Sequence, residues 1–244
     1  MLESALDRPL REYAIYDETG LVSATKTLTM IEAATIPCAA VTAWNALFGL
    51  FGRAVKAGDW VLTQGTGGVS LFAISFALAV GAQVIATRSS DEKGEALKRM
   101  RVQHCINYRN DPSWGETAKR FTDGEGAHII VDVGGESTVR KSLLAVRPEG
   151  VISLVGFLGG TEKAKNPVGF ADCFDALSVM RSNEVGSREQ FIEMNKFIDD
   201  KGIKPVVDQK VFAFEQAREA YEYVLGQGFF GKVVIRVSSD FSER

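Results

Sequence analysis

Histidine and cysteine are scarce in this chain, two and three among 244 residues. Cys38, Cys105 and Cys173 are odd in number and far apart, which argues against a disulfide framework and against a zinc knuckle. His104 opens a β-rich segment and His128 lies inside another, and neither has Ser–His–Asp or Cys–His spacing around it, so structural roles are expected for both. There is no polybasic block, and the formal net charge is only -3. Nucleic acid and anionic membranes are therefore not expected as main partners. No apolar run reaches bilayer length. Met1 to Leu10 holds acids and a proline where a signal peptide needs an apolar core. A soluble, cytoplasmic protein is the expectation. Internal repeats are absent, and the polar tail Ser238 to Arg244 reads as frayed.

What the chain does have is a glycine turn between two apolar segments. Trp60-Val61-Leu62-Thr63-Gln64 reads as a strand that runs through Gly65, Thr66, Gly67, Gly68 and Val69 into an apolar helix, Leu71 to Val80. A helix N-terminus behind a turn without side chains presents backbone N–H groups to a diphosphate. Downstream, short β-rich segments alternate with helical ones. Strands are expected at Gln83 to Thr87, His104 to Asn107, Ala127 to Val133 and Gly150 to Val155, with helices at Asp91 to Met100, Trp114 to Phe121 and Ser137 to Val146. That alternation predicts a doubly wound, parallel α/β sheet whose strand ends line a ligand crevice. The flanks differ: Glu12 to Tyr16 reads as strand-like, and residues 205–237 read as strand, helix Phe214 to Leu225, then strand Lys232 to Val237.

These segments, taken in order, resemble the medium-chain dehydrogenase/reductase superfamily, and within it the zinc-free quinone-reductase and enoyl-reductase-like branch. The resemblance rests on Glu32 to Trp44 as the helix entering the cofactor domain, on Val55-Lys56-Ala57-Gly58-Asp59 with the glycine turn, and on Ile106-Asn107-Tyr108-Arg109. It continues through Val131-Asp132-Val133-Gly134-Gly135, Val185-Gly186-Ser187-Arg188 and Phe230-Gly231-Lys232-Val233-Val234. It implies a Rossmann domain over residues 31–204. Residues 1–30 and 205–244 would then be N- and C-terminal remnants of a second, mostly absent catalytic domain. The turn departs from the family in having Ser70 at its third glycine position, where a small hydroxyl is tolerable. Ser182-Asn183-Glu184 sits in what the resemblance makes an apolar edge strand, and is expected to face solvent.

The implied cofactor is NADP(H). The second strand ends in Thr87-Arg88-Ser89-Ser90 with no acid to accept from a free ribose 2′-hydroxyl, while Arg88 and Ser89 suit a 2′-phosphate. Lys93 and Tyr108 match positions that reach the same phosphate in the resembling reductases, although Arg88 and Lys93 also read as solvated helix-end charges. Leu154, Val155, Gly156, Val185 and Gly186 are implied to flank the nicotinamide. Gly231 and Lys232 match a turn that approaches the cofactor, or else a glycine that simply opens a strand. Thr42 is the candidate beside the chemistry; its hydroxyl bonds a ribose or substrate oxygen, or back-bonds within its own helix. Cys38 occupies the place of a metal ligand in zinc-dependent relatives, but one thiol makes no zinc site, and a packed core cysteine with no metal is expected.

The function implied is reduction of a carbonyl or conjugated alkene, a quinone or an enone, by a zinc-independent oxidoreductase acting on a small molecule. Two alternatives stay open: a non-redox biosynthetic isomerase, cyclase or dehydratase on the same scaffold, and a non-catalytic nucleotide- or partner-binding module. With the second domain mostly absent, Ile36, Trp44, Phe48, Phe229 and Phe230 are expected on an uncovered surface that takes a protein partner or a second copy.

Overall fold

A computed structural model describes residues 10–160, 167–226 and 228–238. The first nine residues and, beyond Ser238, the polar tail lie outside the described residues. The chain divides into two compact units, Cys38–Gly186 and Met1–Pro37 with Ser187–Arg244.

The larger unit is built on a six-stranded parallel sheet in the order β3-β2-β1-β4-β5-β6. Its elements are α1 (Ala39–Phe48), β1 (Trp60–Gln64), α2 (Gly68–Ala79), β2 (Gln83–Arg88), α3 (Asp91–Arg99), β3 (His104–Asn107) and α4 (Trp114–Arg120). They continue with β4 (Ala127–Asp132), α5 (Val139–Ala145), β5 (Val146–Leu154), α6 (Phe170–Asp175) and β6 (Val179–Ser182). The strand order reverses direction beside β1, which is the Rossmann arrangement. Because all strands run the same way, every carboxyl end meets on one edge of the sheet.

Both faces of the sheet are covered, so its strands are apolar throughout. On one face Leu62, Ile85, Ile130 and Ile152 pack with Trp114 and Ala118 of α4. On the other lies α2, whose Leu71, Phe72, Ile74 and Phe76 are all buried, the mark of a helix enclosed on every side. It is enclosed by β1, β2 and α1, with Trp44 edge-on to Phe76 at 5.7 Å between ring centroids. The helix α3 is amphipathic instead, capped by the Ser90 hydroxyl, with Asp91 and Glu92 at its positive end and Lys98 and Arg99 at the other.

A buried carboxylate organises the carboxyl edge. Asp132 is fully buried at the end of β4; its Oδ1 accepts from Gly134 N–H, Gly135 N–H and Thr138 Oγ1 at 2.6 to 3.1 Å, and its Oδ2 from Ser142 Oγ at 2.6 Å. Gln64, at the end of β1, donates to Ser142 Oγ at 3.0 Å and accepts from Val133 N–H and Gly134 N–H at 3.1 Å. That capture of Val133 N–H ends β4 at Asp132, one residue short of the sequence reading.

In the smaller unit, α7 (Arg188–Lys201) starts on a Ser187–Gln190 capping box and stops at left-handed Gly202. The segment before Pro37 is strapped onto it: Asp199 accepts from Lys26 N–H, Thr27 N–H and Thr27 Oγ1, and Asn195 donates to the Ser23 carbonyl. β7 (Val207–Ala213) and β8 (Lys232–Arg236) form a parallel pair joined through α8 (Ala217–Leu225).

Two expectations are corrected. Glu12 to Tyr16 forms no strand, because among the described residues none pairs with it to share its hydrogen bonds; Tyr13 and Ile15 are exposed. The expected uncovered patch does not form either. Ile36 and Trp44 are buried and Phe48, Phe229 and Phe230 half-buried, each covered within the chain. Among the described residues no helix is long and apolar enough to cross a membrane.

Replacing Asp132 tests the organising role. Asp132→Ala leaves Gly135 N–H and Ser142 Oγ without their acceptor, while Gly134 N–H keeps Gln64 Oε1 and Thr138 Oγ1 keeps the Gly135 carbonyl; at about 1–3 kcal/mol for each stranded donor, stability should fall by about 4 kcal/mol out of a typical total of about 5–15 kcal/mol. Asp132→Asn keeps one acceptor oxygen and lets Ser142 Oγ turn to accept, so its loss should be about 1–2 kcal/mol; urea midpoints at neutral pH measure both.

Asp199 supplies a pH test. Burial pushes its carboxyl upward, but the Lys26 and Thr27 hydrogen bonds outweigh this and hold it below the ordinary value. A carboxyl depressed on folding contributes in full above the unfolded value of about 4 and loses its contribution as pH falls through the folded one. Amide-exchange protection at Lys26 and Thr27 should therefore fall as pH drops below about 4, and should be low at all pH values in Asp199→Asn.

Candidate active-site cleft

The first half of the cleft lies at the carboxyl ends of β1, β2 and β3. Gly65 adopts φ +72°, and its N–H donates to the Thr87 carbonyl at 3.0 Å, which folds the turn against β2. No side chain caps α2, so its first N–H groups face outward without one. A Cβ built on Gly65 or Gly67 would meet nothing within 4 Å. The turn is thus a bare cradle of backbone donors. Ser70, at the third glycine position, is buried and donates from Oγ to the Gln64 carbonyl at 2.6 Å. Its hydroxyl fastens helix to strand where a glycine would only let them approach. Thr66 is buried beside it, and Gly68 and Val69 form the first turn of α2.

Arg88 turns back over α3. Its Nη1 pairs with Asp91 Oδ1 at 2.6 Å, its Nε is buried without a hydrogen-bond partner, and it lies where a Cβ on Gly94 would stand. The acid it meets is thus the first residue of the helix, beyond the strand end. Ser89 is half-buried alongside. Tyr108 is brought next to Arg88, its N–H donating to the Arg88 carbonyl at 3.1 Å. Lys93 belongs to the first turn of α3, where its N–H meets the Ser90 cap.

The second half lies at the ends of β4, β5 and β6. Val155 N–H donates to the Asp132 carbonyl at 2.8 Å, which carries Leu154, Val155 and Gly156 past the Asp132 lock. Asn183 N–H donates to the Leu154 carbonyl and its Nδ2 to the Thr42 carbonyl at 2.9 Å. Ser182 and Glu184 are exposed as expected, but Asn183 is 4% exposed, which corrects the expectation for the middle residue: the asparagine points inward because it supplies the donor that ties α1 to the end of β6. Arg181 reinforces the tie, donating from Nη2 to the Asn45 carbonyl and Oδ1 at 2.6 and 3.0 Å; burial pushes its guanidinium below the ordinary value. Val185 is held at φ +53°, costly for a β-branched residue, with its carbonyl accepting from Asn45 Nδ2 at 2.9 Å. Gly186 follows it.

Thr42 is buried, and its hydroxyl donates to the Cys38 carbonyl at 2.8 Å, the back-bond within its own helix. Cys38 is exposed at the start of α1, not packed in the core, because the helix turns its buried face from Ala39 onward. Among the described residues there is no group of three His, Cys, Asp or Glu side chains able to hold a metal. Gly231 and Lys232 lie in the smaller unit. There Gly231, at φ +91°, leaves room for the Val206 carbonyl, which accepts from Lys232 N–H at 3.0 Å. The sequence reading assigned no role to Gln64, Ser142 or Asn183 and met Asp132 only within a motif. A polar residue closing an apolar strand, as at Gln64 and Asp132, was the available signal.

Residues 68–200 match the family model described as zinc-binding dehydrogenase. A zinc-type alcohol dehydrogenase-like protein of Schizosaccharomyces pombe is 44% identical over 95% of this chain and 67% of its own length. A 2-haloacrylate reductase of a Burkholderia species is 28% identical over 74% of this chain and 56% of its own. Among solved structures, an NAD-dependent alcohol dehydrogenase aligns with a TM-score of 0.85 and 30% identity, covering 96% of this chain and 66% of that one. The chain thus spans between 56 and 67% of the lengths of these three proteins.

Gly94→Ala probes the seat of Arg88. The new methyl would lie 2.8 Å from Arg88 Cδ and Cζ, so the flexible side chain must swing outward. Helix propensity offsets the lost contact by about 1 kcal/mol, so the melting temperature should hold or rise while the Arg88–Asp91 pair opens. A crystal structure of the variant showing that pair intact would contradict this.

Proposed function

The chain belongs to the zinc-binding dehydrogenase family of the medium-chain dehydrogenase/reductase superfamily, and on that premise we propose that its carboxyl-edge cleft binds NADP(H) for reduction of a carbonyl or conjugated alkene. The observation that carries the reading is the bare glycine cradle at the uncapped N-terminus of α2, which suits a diphosphate. When bound, the nicotinamide supplies or accepts the hydride.

The chain's own residues position and enclose. Backbone N–H groups from Thr66 to Val69 hold the diphosphate, Gly65 having spent its own on the Thr87 carbonyl. Arg88, with its spare Nε donor, takes the 2′-phosphate in exchange for Asp91, and Ser89, Lys93 and Tyr108 stand around it. Leu154 to Gly156 and the strained Val185-Gly186 pair flank the nicotinamide, with Thr42 keeping its hydroxyl lone pairs toward ribose or substrate. No step is assigned to zinc, since the described residues do not offer it three ligands.

Titration with NADPH and with NADH, read by thermal melting, tests the cofactor, because a ligand of the native state raises the melting temperature by mass action. Arg88→Ala should weaken NADPH by about tenfold or more, the worth of a charged hydrogen bond, and leave NADH unchanged. Equal losses for both, or tighter NADH in the parent, would refute the assignment. NADPH oxidation over a panel of quinones, enones and aldehydes, with and without chelator, tests the reaction.

A further inference from the structure

A second cluster of charge lies at the opposite edge of the sheet, where the strands begin. A cavity of about 360 Å³ opens there, floored by Ile129 and Val151 and rimmed by Arg53, Lys56 and Arg147. The volume is that of a small-ligand site. It is made by a bulge in β5: Ala127 pairs with Val146 but Ile129 with Val151, so Arg147 to Gly150 stand out of the sheet. Glu149 within the bulge is held at φ +64°, a strain of about 1–3 kcal/mol for a residue with a side chain. Bulges and strained residues concentrate beside functional sites.

The two carboxylates of the cavity already have partners. Glu149 pairs with Arg53, which also donates to the Glu149 carbonyl. Asp59 Oδ2 accepts from Lys56 N–H at 2.8 Å, and its Oδ1 faces His128 Nε2 at 3.3 Å. His128 Nδ1 accepts from Trp60 N–H at 3.0 Å. A neutral imidazole has a single N–H, so that proton must sit on Nε2, toward Asp59. Yet Arg147 Nη1 lies 2.7 Å from the same Nε2. Two N–H groups confront each other, and among the described residues no carboxylate pairs with Arg147. The cavity is one anion short.

We propose that this cavity is a binding site for a phosphate group, with Arg147 and the exposed Lys56 holding its oxygens and the apolar floor accommodating a small organic ester. Three cationic side chains against two engaged carboxylates leave a positive excess that favours an anion, and a guanidinium matches phosphate oxygens bidentately. His128 reports occupancy. Burial chiefly, and Arg147 with it, hold the imidazole below its ordinary value against the pull of Asp59 and Glu125. A bound dianion beside Arg147 reverses that push.

Calorimetric titration of the full chain with inorganic phosphate and with glycerol phosphate tests the site, and the tighter of the two tells free phosphate from an ester. Arg147→Gln and Lys56→Gln should each weaken binding by about tenfold or more. Lys56 is exposed, so that variant folds even if Arg147→Gln does not. In NMR the His128 titration should move upward with ligand bound. Absence of binding by the parent, undiminished binding in both variants because phosphate sits at the glycine turn instead, or an unmoved His128 titration would each overturn the proposal.

Discussion

The carboxyl edge of the sheet depends on one buried carboxylate that, among the described residues, has no ion-pair partner. Asp132 is stable there because four donors converge on its two oxygens, and a buried carboxylate is tolerable only when its lone pairs are used. Three of those donors belong to the turn between β4 and α5, the fourth to α5. Gln64 joins the same network from β1, with both ends of its amide engaged. The strands on either side of the cleft's centre are therefore locked to each other by side chains as well as by the sheet ladder. The loops beyond them inherit that rigidity, since Val155 N–H bonds the Asp132 carbonyl itself.

Against this rigid centre, the two ends of the cleft store adjustable interactions. Arg88 is held by a surface-facing ion pair with Asp91 and packed over a glycine, a seat it can leave at little cost because exposed pairs are worth about 0–1 kcal/mol. At the other end Val185 is strained, and Asn45, Arg181 and Asn183 hold the backbone in place from α1 and β6. Strain maintained by several hydrogen bonds is how a fold keeps a backbone carbonyl or N–H where a ligand needs it. The proposed dinucleotide site thus joins a hydrogen-bonded middle to one exchangeable cation and one strained flank.

The two edges of the sheet solve different electrostatic problems. Around Asp132 the polar network is closed, both of its oxygens engaged. At the amino edge the bulge in β5 leaves a guanidinium against an imidazole, with acids already committed elsewhere. Satisfied networks rigidify and unsatisfied ones invite a ligand, which is why the same sheet carries a framework at one end and a second candidate site at the other.

The sequence by itself determined the alternation of strands and helices, the parallel sheet and the glycine turn. His104–Asn107 forms the strand read from it residue for residue, and the other segments agree to within a few residues. Those features are local: side-chain periodicity, a capping serine, a glycine free to take positive φ. Only the tertiary structure decided what each polar residue meets. Asn183 reads as solvent-facing until a helix 141 residues earlier presents the Thr42 carbonyl to it. Glu12 to Tyr16 reads as strand-like from its residues and is not a strand, since a strand exists only with a neighbour. Ile36 and Trp44 look uncovered until the chain itself covers them. Periodicity is carried by a residue and its neighbours, whereas burial and hydrogen bonding belong to pairs that meet only when the chain has folded.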